Sequence, residues 1–376
     1  MAIRMPGKYT PAELEEWRMT LERIAALCFG IVITSAAATA QTASDTTAQG
    51  EPVRSVTERT SAAGDARWQR VQTRSESGSR DVVVETLEVR GIEGRLAPIQ
   101  EIVIDTSRTA PNTTQTRRDE FGFAPDGRRT LLEVTDSRRD TLANGGSTAI
   151  HTTSAPDLDG RHRVTSRQVE RTTSASPGVR DTDITLMVAD LDNTLQATER
   201  TESTERLINP GLVRRDSTQL VRDTNGRWQP IEVRRGEARI VGSERMEEET
   251  IERRDVNGKL AVEERSVIRR SNADDREQEV IEIHAPYADG SSPLALSQRI
   301  HRTTTATADG GRSTIEEVES RSPIAPGDPM RVTLRTVTTV RQIGRGRWLT
   351  ERQVFERDVN GQLRAVINET EETAGR

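Results

Sequence analysis

Cysteine, lysine and aromatic residues are nearly missing from this 376-residue chain. The single cysteine is Cys28, so no disulfide framework holds the fold together. Aromatic residues make up 3% and apolar residues 32%, against 30% charged. A packed core needs large apolar side chains to offset chain entropy, and such a composition excludes two ordinary globular domains. Of 54 basic residues only Lys8 and Lys259 are lysine. Arginine, threonine and glutamate together suit an exposed sheet, where long stems cover the pleat and their heads pair across strands. The net charge of −6 is spread without blocks of one sign. No basic stripe follows a phosphate backbone, which excludes a nucleic-acid partner.

Catalytic signatures are missing too. His151, His162, His284 and His301 include no i, i+4 pair, and there is no H-E-x-x-H. G-x-S-x-G, a phosphate loop and G-x-G-x-x-G are also absent. Carboxylates are so common that no pair stands out. The expectation is a chain with no catalytic residues and no cofactor.

Long apolar runs are limited to one. Ile24–Thr34 (IAALCFGIVIT) is followed by small residues that end in Ala38-Thr39-Ala40 before Gln41. That order matches an export signal with its A-x-A cleavage site at Ala38 and Ala40. The run is short for a bilayer span, and the alternative is an uncleaved anchor. The leading part carries Arg4, Lys8, Arg18 and Arg23 against Glu13, Glu15, Glu16 and Glu22. Cleavage therefore leaves the mature chain at −6, cysteine-free and exported to periplasm, cell surface or medium. Residues 41–60 are small and polar and read as a flexible leader.

From about residue 61 the chain repeats. Gly94, Gly127, Gly160, Asn193, Gly226, Gly258, Gly290, Gly327 and Gly361 follow one another at 33, 33, 33, 33, 32, 32, 37 and 34 residues. A second set of turn residues runs Gly78, Pro111, Gly145, Gly178, Gly211, Gly242, Asp274, Gly310 and Gly344. Asp223-Thr-Asn-Gly226, Asp255-Val-Asn-Gly258 and Asp358-Val-Asn-Gly361 are near copies. Such Asn-Gly and Asp-Gly steps are strong hairpin signals, because tight turns need positive φ. A period near 33 also fits helical solenoids, but leucine- and alanine-rich helices are lacking. The runs between turns, such as Arg331–Arg341 (RVTLRTVTTVR), are rich in valine and threonine and predict strands.

The fold class expected is all-β: a long antiparallel meander of about nine hairpin repeats over 61–367, with 368–376 as a polar tail. Alternation is weak. In Lys259–Arg270, strict alternation puts Leu260, Val262 and Ile268 on one face with Glu264 and Arg270. Such a sheet is wet on both faces, and some nineteen strands at about 4.8 Å stack to roughly 90 Å. The expected shape is an elongated, twisted or coiled, solenoid-like sheet.

Two groups of residues are candidates for binding. Asp157, Asp159, Asp190 and Asp192 sit one period apart in turns that resemble half of a calcium loop. No glutamate follows at the twelfth position, and Asx-turn bonding explains the same residues. Trp68, Trp228 and Trp348 each follow an arginine just after a turn, and could form a ridge for sugars or peptides. The D-x-N-G-[KR]-L turn is similar to the turn of YD-type shell repeats. The defining Tyr-Asp pair is missing, since Val221-Arg222 or Arg253-Arg254 precedes the aspartate. These features predict a non-enzymatic exported structural or interaction protein, its partner an envelope or extracellular protein or a glycan. A β trough for lipid or glycan is the alternative, and an outer-membrane β-barrel the minor one.

Overall fold

The computed structural model describes residues 53–61, 67–91, 94–157, 159–273, 276–286, 294–321, 328–344 and 346–374. The expected signal segment 1–40, with Ala38 and Ala40, lies outside the described residues, as do the turn residues Gly290, Gly327 and Asp274. Twenty strands follow one another: β1 (Val53–Ser61), β2 (Arg67–Ser77), β3 (Arg80–Arg90), β4 (Leu96–Ala110), β5 (Thr113–Phe123), β6 (Arg129–Thr141), β7 (Ser147–Pro156), β8 (His162–Ser176), β9 (Val179–Ala189) and β10 (Leu195–Asn209). The second half continues with β11 (Leu212–Arg222), β12 (Trp228–Val241), β13 (Glu244–Arg254), β14 (Leu260–Ala273), β15 (Arg276–Ala285), β16 (Ala295–Ala306), β17 (Arg312–Ser320), β18 (Arg331–Gly344), β19 (Arg347–Arg357) and β20 (Leu363–Ala374).

Each strand pairs antiparallel with the next, so the expected all-β meander is what forms. Its shape differs from the elongated, solenoid-like sheet. β1 also pairs antiparallel with β20, from Ser55↔Thr373 to Ser61↔Ile367, and the sheet closes into a barrel. Closure satisfies both edges, which an open meander leaves unpaired. It also uses the two segments read as leader and tail. Val53–Ser61 and residues 368–374 are polar, and polar strands suit a wall that is wet on both faces.

The chain turns at positive φ where the near-copy turns require it. Gly226, Gly258 and Gly361 have φ of 79°, 78° and 80°, and Asn193 takes the same place with φ 62°. Asparagine tolerates that region because its side chain bonds locally.

A second periodic device went unseen in the sequence. In nine of the hairpins the register shifts by one residue toward the rim that carries the aspartate turns. The extra residues are Ile99, Leu132, Thr165, Thr198, Ile231, Glu263, Ser297, Thr333 and Val366, which repeat with the same period. A bulge bends and twists its strand, and nine of them curl a sheet that would otherwise extend. The bulge at Glu263 also corrects the strict alternation read in Lys259–Arg270. Leu260 and Val262 share a face with Arg265, Val267 and Arg269, while Glu264 lies opposite with Ile268.

The wall is a single layer. Among the described residues only Val134, Ala149, Ile251, Val267, Val318 and Val354 are buried apolar side chains. Ladder hydrogen bonds and cross-strand pairs therefore carry much of the stability, each pair contributing roughly 0.2–1 kcal/mol.

Candidate functional site

Cross-strand register divides the side chains into two faces that run unbroken around the barrel. Face one carries an alternating chain of charge from β10 to β17. Arg215 Nε donates to Glu205 at 2.7 Å, and Arg215 also lies 3.8 Å from Glu247 on β13. It reaches that far because Gly236, directly opposite on β12, has no side chain in the way. Arg270 binds Glu247 at 2.8 Å and Glu279 at 2.5 Å. Arg302 binds Glu279 at 2.5 Å and Glu316 at 2.6 Å. Glu279 is the best shielded of these carboxylates, with 8% of its side chain exposed.

Face two carries three open grooves. The first, about 680 Å³ across β3–β7, is lined by Arg80, Asp105, Arg117, Asp136 and Arg138. The next, about 740 Å³ across β8–β11, is lined by Arg171, Asp181, Asp183, Arg200, Glu202 and Asp216. A smaller one of about 390 Å³ lies across β11–β13, with Arg214, Arg235, Glu237, Arg239 and Glu248. None of the residues that line these grooves is aromatic, and the large apolar ones are Ile150 in the first and Met246 in the smallest. Their charges are largely committed to one another: Arg80 grips Asp105 at 2.9 and 2.6 Å, and Arg138 grips Asp140 at 2.9 and 3.2 Å.

The two rims differ. One consists mainly of five-residue turns built on a recurring aspartate. Asp157, Asp190, Asp223, Asp255 and Asp358 each accept two backbone amides on Oδ1, at 2.8–3.0 Å. Their Oδ2 atoms face the residue six positions on: Arg163, Gln196, Gln229 and Arg364 in four of the five. These amide bonds are the leading cause holding all five carboxyls below the usual aspartate range. Arg90, Arg222, Arg254 and Arg357, each four residues before the turn glycine, donate to that glycine's carbonyl. The other rim has mostly two-residue turns and holds the start of β1 and the end of β20.

The four aspartates weighed for calcium fall into two kinds. Asp157 and Asp190 spend both oxygens on protein donors, while Asp159 and Asp192 stand exposed at the turn tips. Among the described residues no three histidine, cysteine, aspartate or glutamate side chains are grouped to hold a metal. The tryptophan ridge does not form either. Trp68 lies on face one and Trp228 on face two, both at the aspartate rim but ten strands apart, and Trp348 sits on face one at the opposite rim. The repeat period governs the turns, whereas tryptophan recurs only in widely separated units. The histidines are dispersed as well: His151 Nδ1 is 2.7 Å from Ser137 Oγ, and His301 is 3.9 Å from Glu319.

Sequence reasoning missed the bulge hydroxyls. Thr165, Thr198, Ser297 and Thr333 donate to the carbonyls of Thr153, Leu186, Ile283 and Val318, at 3.2, 3.4, 2.9 and 3.2 Å. Each adds a side-chain bond to the facing strand at the place where the register shifts. A hydroxyl recurring at the 33-residue period was the available signal.

Closed topology and two polar faces define a class: a twenty-stranded up-and-down β-barrel with a charged wall. No family model matches the chain, and no curated protein matches its sequence. Among solved structures it is similar to the siderophore receptor PirA from Pseudomonas aeruginosa, at 8% identity and TM-score 0.45, covering 86% of this chain and 80% of that one. It is similar to OccK3 (OpdO) from Pseudomonas aeruginosa, at 10% identity and TM-score 0.44, covering 86% and 94%. A BenF-like porin from Pseudomonas fluorescens gives 9% identity and TM-score 0.44, covering 86% and 96%. At this overlap no residue role carries over, and closure rests on the β1–β20 ladder itself.

Proposed function

We propose that the chain is an exported, non-catalytic barrel that stands in water at the cell envelope or outside it. Its charged wall serves as a structural or interaction surface there. The observation that carries this reading is charge at mid-strand on both faces. In β5, Arg118 and Glu120 point to face one, while Arg117 and Asp119 point to face two. Arg270 and Glu279 on face one, with Arg269 and Glu282 on face two, repeat the pattern across the barrel. A face against hydrocarbon has to be apolar, and arginine at the bilayer midplane costs roughly 2–4 kcal/mol each. Export is supported by the Ile24–Thr34 run and the Ala38-Thr39-Ala40 site. The polar grooves favour hydrogen-bonding partners, a protein or a glycan, over a lipid held in the wall.

The closed ladder itself favours a second reading, a bilayer-spanning barrel. Expression with its leader followed by fractionation tests both. Recovery in the soluble envelope fraction, monodisperse without detergent, supports the barrel in water. A requirement for detergent, with ion conduction in planar bilayers, overturns it in favour of the spanning one.

A further inference from the structure

The rim where the chain enters carries an exposed apolar lip. Leu207 and Ile208 end β10, and Ile240 and Val241 end β12; they are 51%, 52%, 59% and 63% exposed. Adjacent hairpins hold them in place. Leu207 N–H donates to the Gly178 carbonyl at 2.7 Å, and Ile240 N–H to the Gly211 carbonyl at 2.8 Å. By register Leu207 and Ile240 share face one and Val241 lies on face two, while Ile208 is the extra residue of a bulge, so aliphatic side chains end the wall on both of its faces here.

The lip is also basic. Arg206 sits directly opposite Arg214, a like-charge pair that repels unless an anion lies near. Glu237 takes Arg214 at 3.4 Å, leaving Arg206 without a carboxylate among the described residues. Arg239 bonds only the Met246 sulfur, at 3.3 Å. Glu205 and Glu247 are occupied by Arg215 and Arg245, and Glu244 is the one carboxylate of the lip with no ion pair among the described residues. Apolar tips among unneutralised guanidiniums suit an anionic lipid surface.

The opposite rim also has exposed aliphatics, Leu191, Val256 and Val359, but each is a single tip beside an aspartate of its own turn. An anionic surface repels that arrangement.

We propose that the lip of Leu207, Ile208, Ile240 and Val241, with Arg206 and Arg239, docks the barrel rim-down on an anionic lipid bilayer. This rests on the water-standing reading, and the test separates the two. The probe is the full chain carrying Cys28→Ser and one new cysteine bearing an environment-sensitive dye. Vesicles are phosphatidylcholine, with or without phosphatidylglycerol. A dye at Ile240→Cys is expected to shift to the blue on anionic vesicles, and a dye at Val256→Cys to stay unchanged. Charge reversal with Arg206→Glu and Arg239→Glu abolishes the shift and weakens partitioning on the order of tenfold. Circular dichroism confirms that this variant folds. No shift at 240, an equal shift at 256, or an unaltered shift in the charge-reversed chain overturns the proposal. Mid-wall dyes at Ile150→Cys and Ser217→Cys, one on each face, report on the water-standing reading, because only a bilayer-spanning wall shifts one of them.

Discussion

At the residue scale, the aspartate turns show how a short polar side chain substitutes for backbone. One carboxylate oxygen of Asp255 accepts the amides of Asn257 and Lys259, both at 2.9 Å, and so fixes the path into β14. Asp255→Asn keeps an acceptor there and Asp255→Ala does not. Urea unfolding is expected to rank stability as wild type, then the asparagine variant, then the alanine variant. The lowered pKa of the five turn aspartates sets a pH window. A carboxyl whose folded pKa lies below its unfolded value contributes stability above the unfolded pKa and loses it as pH falls through the folded one. With an unfolded aspartate near about 3.9, the turns keep their strength through neutral and mildly acidic solution. The turns' share of the thermal midpoint is expected to be lost only below about pH 4, so the fall there is less steep in Asp255→Ala than in wild type. Gly258 completes the turn at φ 78°, where a Cβ would also meet Arg254 Nη2 at 3.0 Å. The guanidinium can swing away but the backbone cannot, so Gly258→Ala is expected to cost about 1 kcal/mol in the same assay.

At the element scale, two features separate strands that are alike in composition. The first is the bulge. Thr333, the extra residue of its bulge, donates its hydroxyl to the Val318 carbonyl at 3.2 Å. Thr333→Val keeps shape and strand propensity while removing that side-chain hydrogen bond, at a cost of about 1 kcal/mol. The second is the charge chain. Glu279→Gln takes the shared carboxylate from Arg270 and Arg302, which keep Glu247 and Glu316, and is expected to cost about 1 kcal/mol, less than a fully buried pair because both arginines retain a partner and reach water. Glu372→Gln removes an exposed partner of Arg347 and is expected to change stability by less than about 0.5 kcal/mol. Equal losses in the two variants, measured by chemical unfolding, would show that the chain is only a surface array. Much of this was legible: Asp255-Val-Asn-Gly258 and its copies announce turns, and valine-threonine runs announce strands. The bulge was not, because strict alternation and alternation broken at Glu263 place equally mixed side chains on each face. A stronger apolar stripe would have exposed the break. The charge partners were hidden for the same reason, since arginine and glutamate occupy nearly every sector and only register selects among them.

For the whole molecule, closure is the property that composition conceals. An open meander and a barrel use the same hairpins, and they differ only in whether β1 meets β20. Val56 against Glu372 and Thr57 against Glu371 are ordinary polar-sheet neighbours, carrying no signal that they close a ring. The consequence is measurable. Twenty strands spaced about 4.8 Å and tilted about 40° enclose a backbone cylinder of about 40 Å diameter. Small-angle scattering of residues 49–376 is expected to show a compact, barrel-shaped particle, not the rod of roughly 90 Å that an open sheet gives. Thr57→Pro tests whether the seam holds the shape, because proline removes a donor and breaks the ladder where β1 lies between β2 and β20. Loss of the seam leaves two exposed edges, and such edges pair with other copies. The variant is expected to expand in scattering and to elute as concentration-dependent oligomers, with its β-type circular dichroism retained. A variant that keeps the compact profile and stays monomeric would mean that the bulged hairpins hold the curvature without the seam, moving the origin of the barrel from closure to the 33-residue repeat itself.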